Sequence, residues 1–428
     1  MTDVVATNQT ILVVGGGIAG MTAALEAAEC GREVVLIEKN PSLGGRVAQL
    51  YRYFPKLCHP TCGLEINLRR LKNNPRIRVL TLAEVTEIAG SAGDYTATVK
   101  LSPRYVNDRC TACGACGEAV EATVDDPFNY SLGRVKAAWL PHAMAYPQRF
   151  VLHPSIIGTP DAEKAKAACK YDAVDLSMQE ETIKLKAGAV VWATGWKPYD
   201  AAKIQPYGYG RFRNVITSVE FERLADPHGP TGGKIVRPFD GREAKNIAFI
   251  QCAGSRDENH LRHCSRICCM ASLKQTRYVR EAYGEEGRST IYYIDIRAID
   301  RFEDFYQKVR ADETIKFVKS KVAKIAEDEK TGDVILHGVD TEGYHRYANP
   351  HDLAVLAVGM EPGVAAGAIP AAVMADSSGF IMADPSNGGL FGAGCAANPL
   401  DVNRSVQSAT AGALRALQVV NRISRAEG

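Results

Sequence analysis

Thr10-Ile11-Leu12-Val13-Val14-Gly15-Gly16-Gly17-Ile18-Ala19-Gly20 is an apolar, β-branched run that breaks into glycines and then into helix formers. Thr10–Val14 reads as a buried parallel strand. The Ala-rich stretch Met21–Cys30 reads as a helix ended by Gly31, and Glu33–Ile37 as a second strand that delivers Glu38. Each part has a physical task. Gly15 permits the tight turn, Gly17 lets the backbone approach a pyrophosphate, and Gly20 lets helix and strand pack closely. The helix start offers free N–H groups and a positive dipole end to phosphates, and Glu38 can accept hydrogen bonds from a ribose. The glycine pattern alone is weak; strand, helix and acid in their proper places make it a dinucleotide site.

The rest of the chain narrows the class. Its 428 residues are 46% hydrophobic and 23% charged with a formal net charge of +2, an ordinary globular composition long enough for two or three domains. No stretch concentrates Lys and Arg with interleaved aromatics, which argues against a nucleic-acid surface. Apolar runs such as Ala189–Ala193 and Leu353–Val358 are too short to span a bilayer. Met1–Gln9 is short and polar, unlike a signal peptide, so a cytoplasmic location is expected. Twelve cysteines are many for such a compartment and point to metal or redox chemistry rather than structural disulfides. Ten fall at Cys58/Cys62, Cys110/Cys113/Cys116, Cys252/Cys264/Cys268/Cys269 and Cys395; Cys30 and Cys169, in Ala-rich stretches, read as small buried hydrophobes.

Three further segments choose the cofactor. Pro41-Ser42-Leu43-Gly44-Gly45-Arg46 resembles the segment that lies against the flavin in two-dinucleotide-binding-domain flavoproteins. Val190-Val191-Trp192-Ala193-Thr194-Gly195 resembles their strand and ATG turn, and Gly388–Cys395 resembles their terminal flavin strand, with Ser405–Val419 as the following helix. The resemblance implies FAD, held by Gly15, Gly17, Ile18, Ala19, Gly20, Glu38, Lys39, Gly45, Arg46, Ala193, Thr194, Gly195, Gly394 and Cys395. In that class an Asp usually holds the ribityl chain where Cys395 stands; Asp401 lies six residues on.

Flavoproteins of this kind carry a second dinucleotide domain inside the first. Lys245–Ile250 reads as its opening strand, but the next residues are Gln251-Cys252-Ala253-Gly254-Ser255-Arg256, not a glycine fingerprint. A Cys side chain where backbone should meet a pyrophosphate disfavours a nicotinamide nucleotide there. His263-Cys264-Ser265-Arg266-Ile267-Cys268-Cys269 follows, giving C-x11-C-x3-C-C. Four thiolates suit a [4Fe–4S] cluster or Zn²⁺, adjacent ligands are unusual for structural zinc, and a redox dithiol is a further reading.

Phe249–Arg256 and Cys264–Cys269, behind a thioredoxin-reductase-like FAD domain, resemble the A-type subunit of heterodisulfide reductase. The methanogenic members carry an N-terminal domain, an inserted ferredoxin and a C-terminal ferredoxin. This chain resembles the short form found in sulfur-oxidising bacteria. The inserted ferredoxin is visible as a trace: Cys110, Cys113 and Cys116 keep the C-x2-C-x2-C spacing, but Val120 and Glu121 stand where Cys-Pro should follow. Cys58-His59-Pro60-Thr61-Cys62 reads as a redox pair, a sulfur-handling site or plain loop.

The expected architecture is an α/β, thioredoxin-reductase-like flavoprotein with a degenerate, irregular ferredoxin-like insertion. Residues 1–100, 185–198 and 349–428 form the FAD domain, 101–184 the insertion, and 199–348 the iron–sulfur-carrying domain. The stretch Pro127–Pro154 reads as a lid or dimer contact. The resemblance implies electron transfer between FAD and a [4Fe–4S] cluster bound by Cys252, Cys264, Cys268 and Cys269, partners equivalent to the B- and C-type subunits, and a homodimer. Lys274, past the last thiol on a helical stretch, can stabilise a reduced flavin by charge or be a solvated lysine. Arg256, Arg262 and Arg266 can tune a cluster or lie at the surface. An NAD(P)H-dependent disulfide or sulfur reductase and a cofactor-holding scaffold are the alternative functions.

Overall fold

The computed structural model describes residues 6–382 and 388–427; the first five residues of the polar stretch Met1–Gln9 lie outside them. The chain divides into two compact units, one of residues 1–48, 61–196 and 362–428, the other of residues 49–60 and 197–361.

The first unit is built on β1 (Ile11–Val14), α1 (Ile18–Glu29) and β2 (Val34–Glu38). Both strands are buried throughout, as continuous apolar runs in a parallel sheet should be. Five parallel strands stand in the order Leu390–Gly392, Ala189–Trp192, β1, β2, Ile77–Thr81. One face packs on a three-stranded antiparallel sheet (Ala83–Ser91, Asp94–Leu101, Glu181–Ala187) through Leu12, Val14, Val35, Val99, Leu185 and Trp192. α1 lies against the C-terminal helix Val402–Glu427, and both bury small residues, Ala23, Ala24 and Ala27 on one and Ala409, Ala413 and Ala416 on the other. α1 starts three residues before the expected Met21, directly at the glycine turn. Cys30 is its exposed C-cap rather than a core residue.

The insertion, expected to be irregular, has a core of its own, including Val106, Val120, Ala138, Phe150, Leu152 and Val174. Two small antiparallel ribbons (Thr123–Asp125 with Arg134–Lys136, Ala138–Trp139 with Val151–Leu152) and the helices Ala115–Ala119 and Pro160–Ala168 surround it.

The second unit repeats the plan. Its parallel sheet runs Val215–Thr217, Leu353–Val358, β3 (Asn246–Ala253), Arg288–Tyr293, Ile315–Lys319. An antiparallel sheet (Lys324–Glu327, Val334–Asp340, His345–His351) covers one face. Leu353–Val358 therefore belongs to this sheet, and the chain returns to the first unit at Pro362 rather than near Asn349. An apolar run of this kind suits a buried strand of either sheet, and only pairing decides between them. Residues 49–60 also fold with this unit. Among the described residues no helix is long and apolar enough to cross a membrane.

Candidate functional site

In the first unit the glycines do what their positions demand. A Cβ on Gly20 would lie 1.7 Å from the Gly15 carbonyl oxygen, and one on Gly15, at φ +111°, 2.3 Å from the Ala193 oxygen. At Gly17 the side is open, with only the Gly45 Cα at 3.9 Å. Gly17 is the N-cap of α1 and no side chain caps the helix or places an acid in its first turn. The N–H groups around Ile18 and Ala19 thus keep their positive dipole end for an anion. The Glu38 carboxylate accepts from Gly16 N at 2.6 Å and from Asn40 N and Nδ2 at 2.8 Å each. Burial pushes its pKa up, partly offset by the donors of Asn40 and Gly16. Asn40, which the fingerprint does not specify, thus orients the Glu38 carboxylate. Lys39 is exposed.

The 41–46 segment is held by the insertion. Leu43 N donates to Tyr146 O at 2.9 Å, and buried Arg104 donates to the Pro41 carbonyl and to Thr81 Oγ1. Arg46 donates to the Tyr130 hydroxyl at 2.7 Å and to Trp196 O at 3.2 Å, its guanidinium lying over both rings. Residues of Pro127–Pro154 thus clamp the segment beside the glycine turn, a contact that no local periodicity announces. Gly195, at φ +69°, turns the chain, and its carbonyl accepts from Gly363 N at 2.9 Å. Gly394 packs against Ala19 at the start of α1. Cys395 is buried, its thiol directed to Leu400 O at 3.3 Å and Ser405 Oγ at 3.6 Å. Asp401 is spent on the C-terminal helix, accepting from Arg404 N at 3.0 Å. The unusual cysteine is therefore turned into the protein.

An open glycine flank, an uncapped helix start and a buried acid fit a dinucleotide. Gly17, the start of α1, Glu38 and the 41–46 segment would hold it.

In the second unit β3 ends in a register irregularity between Ile250 and Ala253, with Cys252 at φ +55°. A dinucleotide strand would turn straight into its helix. Here α2 (Cys268–Tyr283) begins only at Cys268, without a side-chain cap and with no acid in its first turn. The intervening loop is tightly bonded: Leu261 N to Gly254 O at 2.8 Å, Arg256 N to His263 O at 3.1 Å, and Met360 N to buried Ser265 Oγ at 2.8 Å, with the Ser265 and Ser255 hydroxyls 3.0 Å apart. This brings Cys252, Cys264, Cys268 and Cys269 to the wall of one concavity of about 280 Å³, with Arg256 and Asp295. Among the described residues no three His, Cys, Asp or Glu side chains converge on a point a single ion would occupy. The four thiols stand around a space.

Arg256 pairs with Asp295 at 2.5 Å and lies beside Cys252, pulling its thiol pKa down while burial pushes it up more strongly. Burial also pushes Cys268 well up and Cys269 to about 11. As free thiols these would be poor nucleophiles. Arg266 has φ +61° in the same loop, and Arg262 does not line the concavity.

Lys274 is elsewhere. It is 2% exposed, with Nζ 2.6 Å from Glu222 Oε1 and donating to Arg52 O at 2.8 Å. Glu222 also accepts from Gln275, Tyr278 and Tyr51 N. Burial lowers the Lys274 pKa, outweighing Glu222. Its charge is thus already balanced and ties residues 49–60 to α2. A counter-ion 52 positions away left no local signal.

Comparison with known proteins agrees with this geometry. Residues 10–61 match the family model described as FAD dependent oxidoreductase. Thermoplasma acidophilum thioredoxin reductase shares the fold, with a TM-score of 0.53 over 97% of this chain and 99% of that one at 15% identity. The chain is therefore a two-domain, FAD-dependent oxidoreductase of thioredoxin-reductase-like fold. It is 38% identical over 418 residues to the second A-type iron–sulfur subunit of CoB–CoM heterodisulfide reductase from Methanopyrus kandleri, covering 95% of this chain and 63% of that one. With the A-type subunit of the ferredoxin/F420H2-dependent CoB–CoM heterodisulfide reductase of Methanosarcina acetivorans it shares 34% over 428 residues, 96% of this chain and 53% of that one. It is thus similar to A-type heterodisulfide reductase subunits, and spans between half and two thirds of the length of these relatives.

Proposed function

We propose that the chain is the FAD- and [4Fe–4S]-bearing electron-transfer subunit of a heterodisulfide-reductase-like complex that serves sulfur oxidation. The observation that carries the reading is the single concavity walled by Cys252, Cys264, Cys268 and Cys269, at the end of β3 and the start of α2 where a second nucleotide would otherwise bind. When bound, flavin and cluster supply the redox chemistry. The chain's own residues orient and tune them. Gly17 and the start of α1 hold the phosphates, and Glu38, fixed by Asn40 and Gly16, takes the ribose. Cys268 and Cys269 present sulfur at a positive helix end, and Arg256 brings a cation beside Cys252, which raises a cluster's potential. The similarity to A-type subunits of heterodisulfide reductases supports partners equivalent to the other subunits of such a complex. A homodimer is the expected assembly.

The test is anaerobic purification with iron, acid-labile sulfide and flavin counted, and an electron paramagnetic resonance spectrum on stepwise reduction. A Cys264→Ala, Cys268→Ala double variant should keep its flavin and lose about four irons per chain together with one cluster signal. Zinc without sulfide, or iron unchanged in the variant, overturns the reading.

A further inference from the structure

We propose that Tyr130, in a hairpin loop of the insertion, is a positioning residue of the flavin site: it fixes the Arg46 guanidinium so that its positive charge faces the diphosphate of the bound dinucleotide. The inference deepens the flavin half of the proposed function, on which it rests, and uses none of the cluster thiols. Two turns of the first unit meet at Arg46. Gly44 N donates to Gly16 O at 2.9 Å, Gly17 and Gly44 pair as a parallel bridge, and Arg46 carries the first side chain past the glycines beside the phosphate-facing turn. The other turn ends at Gly195, and the next residue, Trp196, accepts from Arg46 Nε at 3.2 Å through its carbonyl. Backbone N–H groups at a helix start offer only partial charge. A guanidinium adds a full one, and its planar fork matches phosphate oxygens.

Two aromatic rings hold that guanidinium. Its carbon lies 5.3 Å from the centre of the Tyr130 ring and 5.4 Å from that of Trp196, both within cation–π range, and Nη1 donates to the Tyr130 hydroxyl at 2.7 Å. Tyr130 itself sits on strained backbone, at φ +54° with Ser131 at +60°, which a bulky side chain adopts only where its surroundings impose it. Asp126 imposes it. Its carboxylate accepts from Phe128 N at 2.9 Å, Asn129 N at 3.3 Å and Asn129 Nδ2 at 2.6 Å, and its carbonyl accepts from Ser131 N at 2.9 Å. Asp126 N donates to Gly133 O at 3.0 Å, which closes the loop onto the ribbon Thr123–Asp125 with Arg134–Lys136. The same loop is registered on the 41–46 segment: Phe128 stacks on His142 at 4.9 Å, and His142 Nε2 is 3.3 Å from Leu43 O. A hairpin that keeps strained backbone in order to set a hydroxyl on a cation beside the glycine turn is built for the position of that cation.

The experiment is a double-mutant cycle on the FAD affinity of the full chain, freed of flavin by dialysis and titrated with FAD at low and high salt. Wild type, Tyr130→Phe, Arg46→Met and the pair are compared. Tyr130→Phe keeps the ring and removes one hydrogen bond to a charged group, so affinity is expected to fall about tenfold. Arg46→Met is expected to lose at least as much. Because Tyr130 acts through Arg46, adding Tyr130→Phe to Arg46→Met should change nothing further. Salt should weaken FAD binding more in the wild type than in Arg46→Met, since only the former has the cation to screen. A Tyr130 of purely structural role would lower affinity by the same factor in both backgrounds, so additivity overturns the proposal. Wild-type affinity in Tyr130→Phe, or equal salt dependence with and without Arg46, overturns it as well. Thermal midpoints of the four flavin-free chains are expected to coincide, and a loss of affinity that follows a lowered midpoint counts against the positioning role. A wild type that takes up no FAD overturns the flavin reading and this inference together, whereas additivity leaves that reading standing.

Discussion

At Gly20 a single methyl group decides whether the nucleotide turn can exist. Its Cβ would sit 1.7 Å from a backbone oxygen, and backbone cannot rotate aside as a side chain can. Forcing such a shift costs about 1–3 kcal/mol, which is about five- to 140-fold in affinity at about 1.4 kcal/mol per decade. Gly20→Ala is therefore expected to purify folded but with flavin weakened by that factor, measured by flavin absorbance and titration of the apoprotein. Full flavin occupancy at low cofactor concentration would refute the close-packing role. The same scale separates what a motif specifies from what it does not. Gly15, Gly17, Gly20 and Glu38 were legible because strand, turn and helix place them at fixed offsets. Asn40, Arg104 and Tyr130 were not, because each acts through a contact that no periodicity encodes. Lys274 shows the complementary limit: a helix lysine that the local sequence allows to be solvated is buried against Glu222, which the fold brings in.

Among the elements, His351 ties three strands of the second unit together. Its Nε2 lies 3.0 Å from the Tyr292 hydroxyl and its Nδ1 3.0 Å from Asn246 Oδ1, an arrangement that suits a neutral ring with the proton on Nδ1. Burial pushes its pKa from 6.5 down to about 4. A histidine depressed in the folded state binds protons more readily when unfolded. Its contribution is complete above pH 6.5 and falls as pH drops toward 4. Between pH 7 and 5 this one group should cost about 2 kcal/mol of stability, from the linkage relation. Denaturant midpoints followed at Tyr or Trp fluorescence check it: His351→Gln should flatten the pH dependence over that window. An unchanged slope would mean the ring is not buried neutral. The helices tell a related story. α1 and the C-terminal helix were readable from their alanines, while the latter's start at Val402 depends on the Asp401 cap.

Across the whole molecule two units share one plan, five parallel strands with a three-stranded antiparallel sheet beside them, but they differ at one junction. In the first unit β1 runs through glycines straight into α1; in the second, β3 and α2 are separated by a loop carrying Cys252 and Cys264. The pyrophosphate cradle is thereby replaced with thiols. NADH and NADPH are accordingly expected to leave the oxidised flavin spectrum unchanged over minutes at excess nucleotide. Rapid bleaching at substoichiometric enzyme would instead favour a nicotinamide-dependent reductase.

By itself the sequence determined the flavin-binding half, the thioredoxin-reductase-like class and the grouping of Cys252 with Cys264, Cys268 and Cys269, because short-range spacing and strand–helix periodicity encode all three. Only the tertiary structure decided that Leu353–Val358 pairs in the second sheet, that the insertion has a core and clamps residues 41–46, and that Cys169 lines one concavity with Cys110, Cys113 and Cys116. Those are long-range meetings, set by which buried surfaces fit together, and the chain between the partners carries no mark of them.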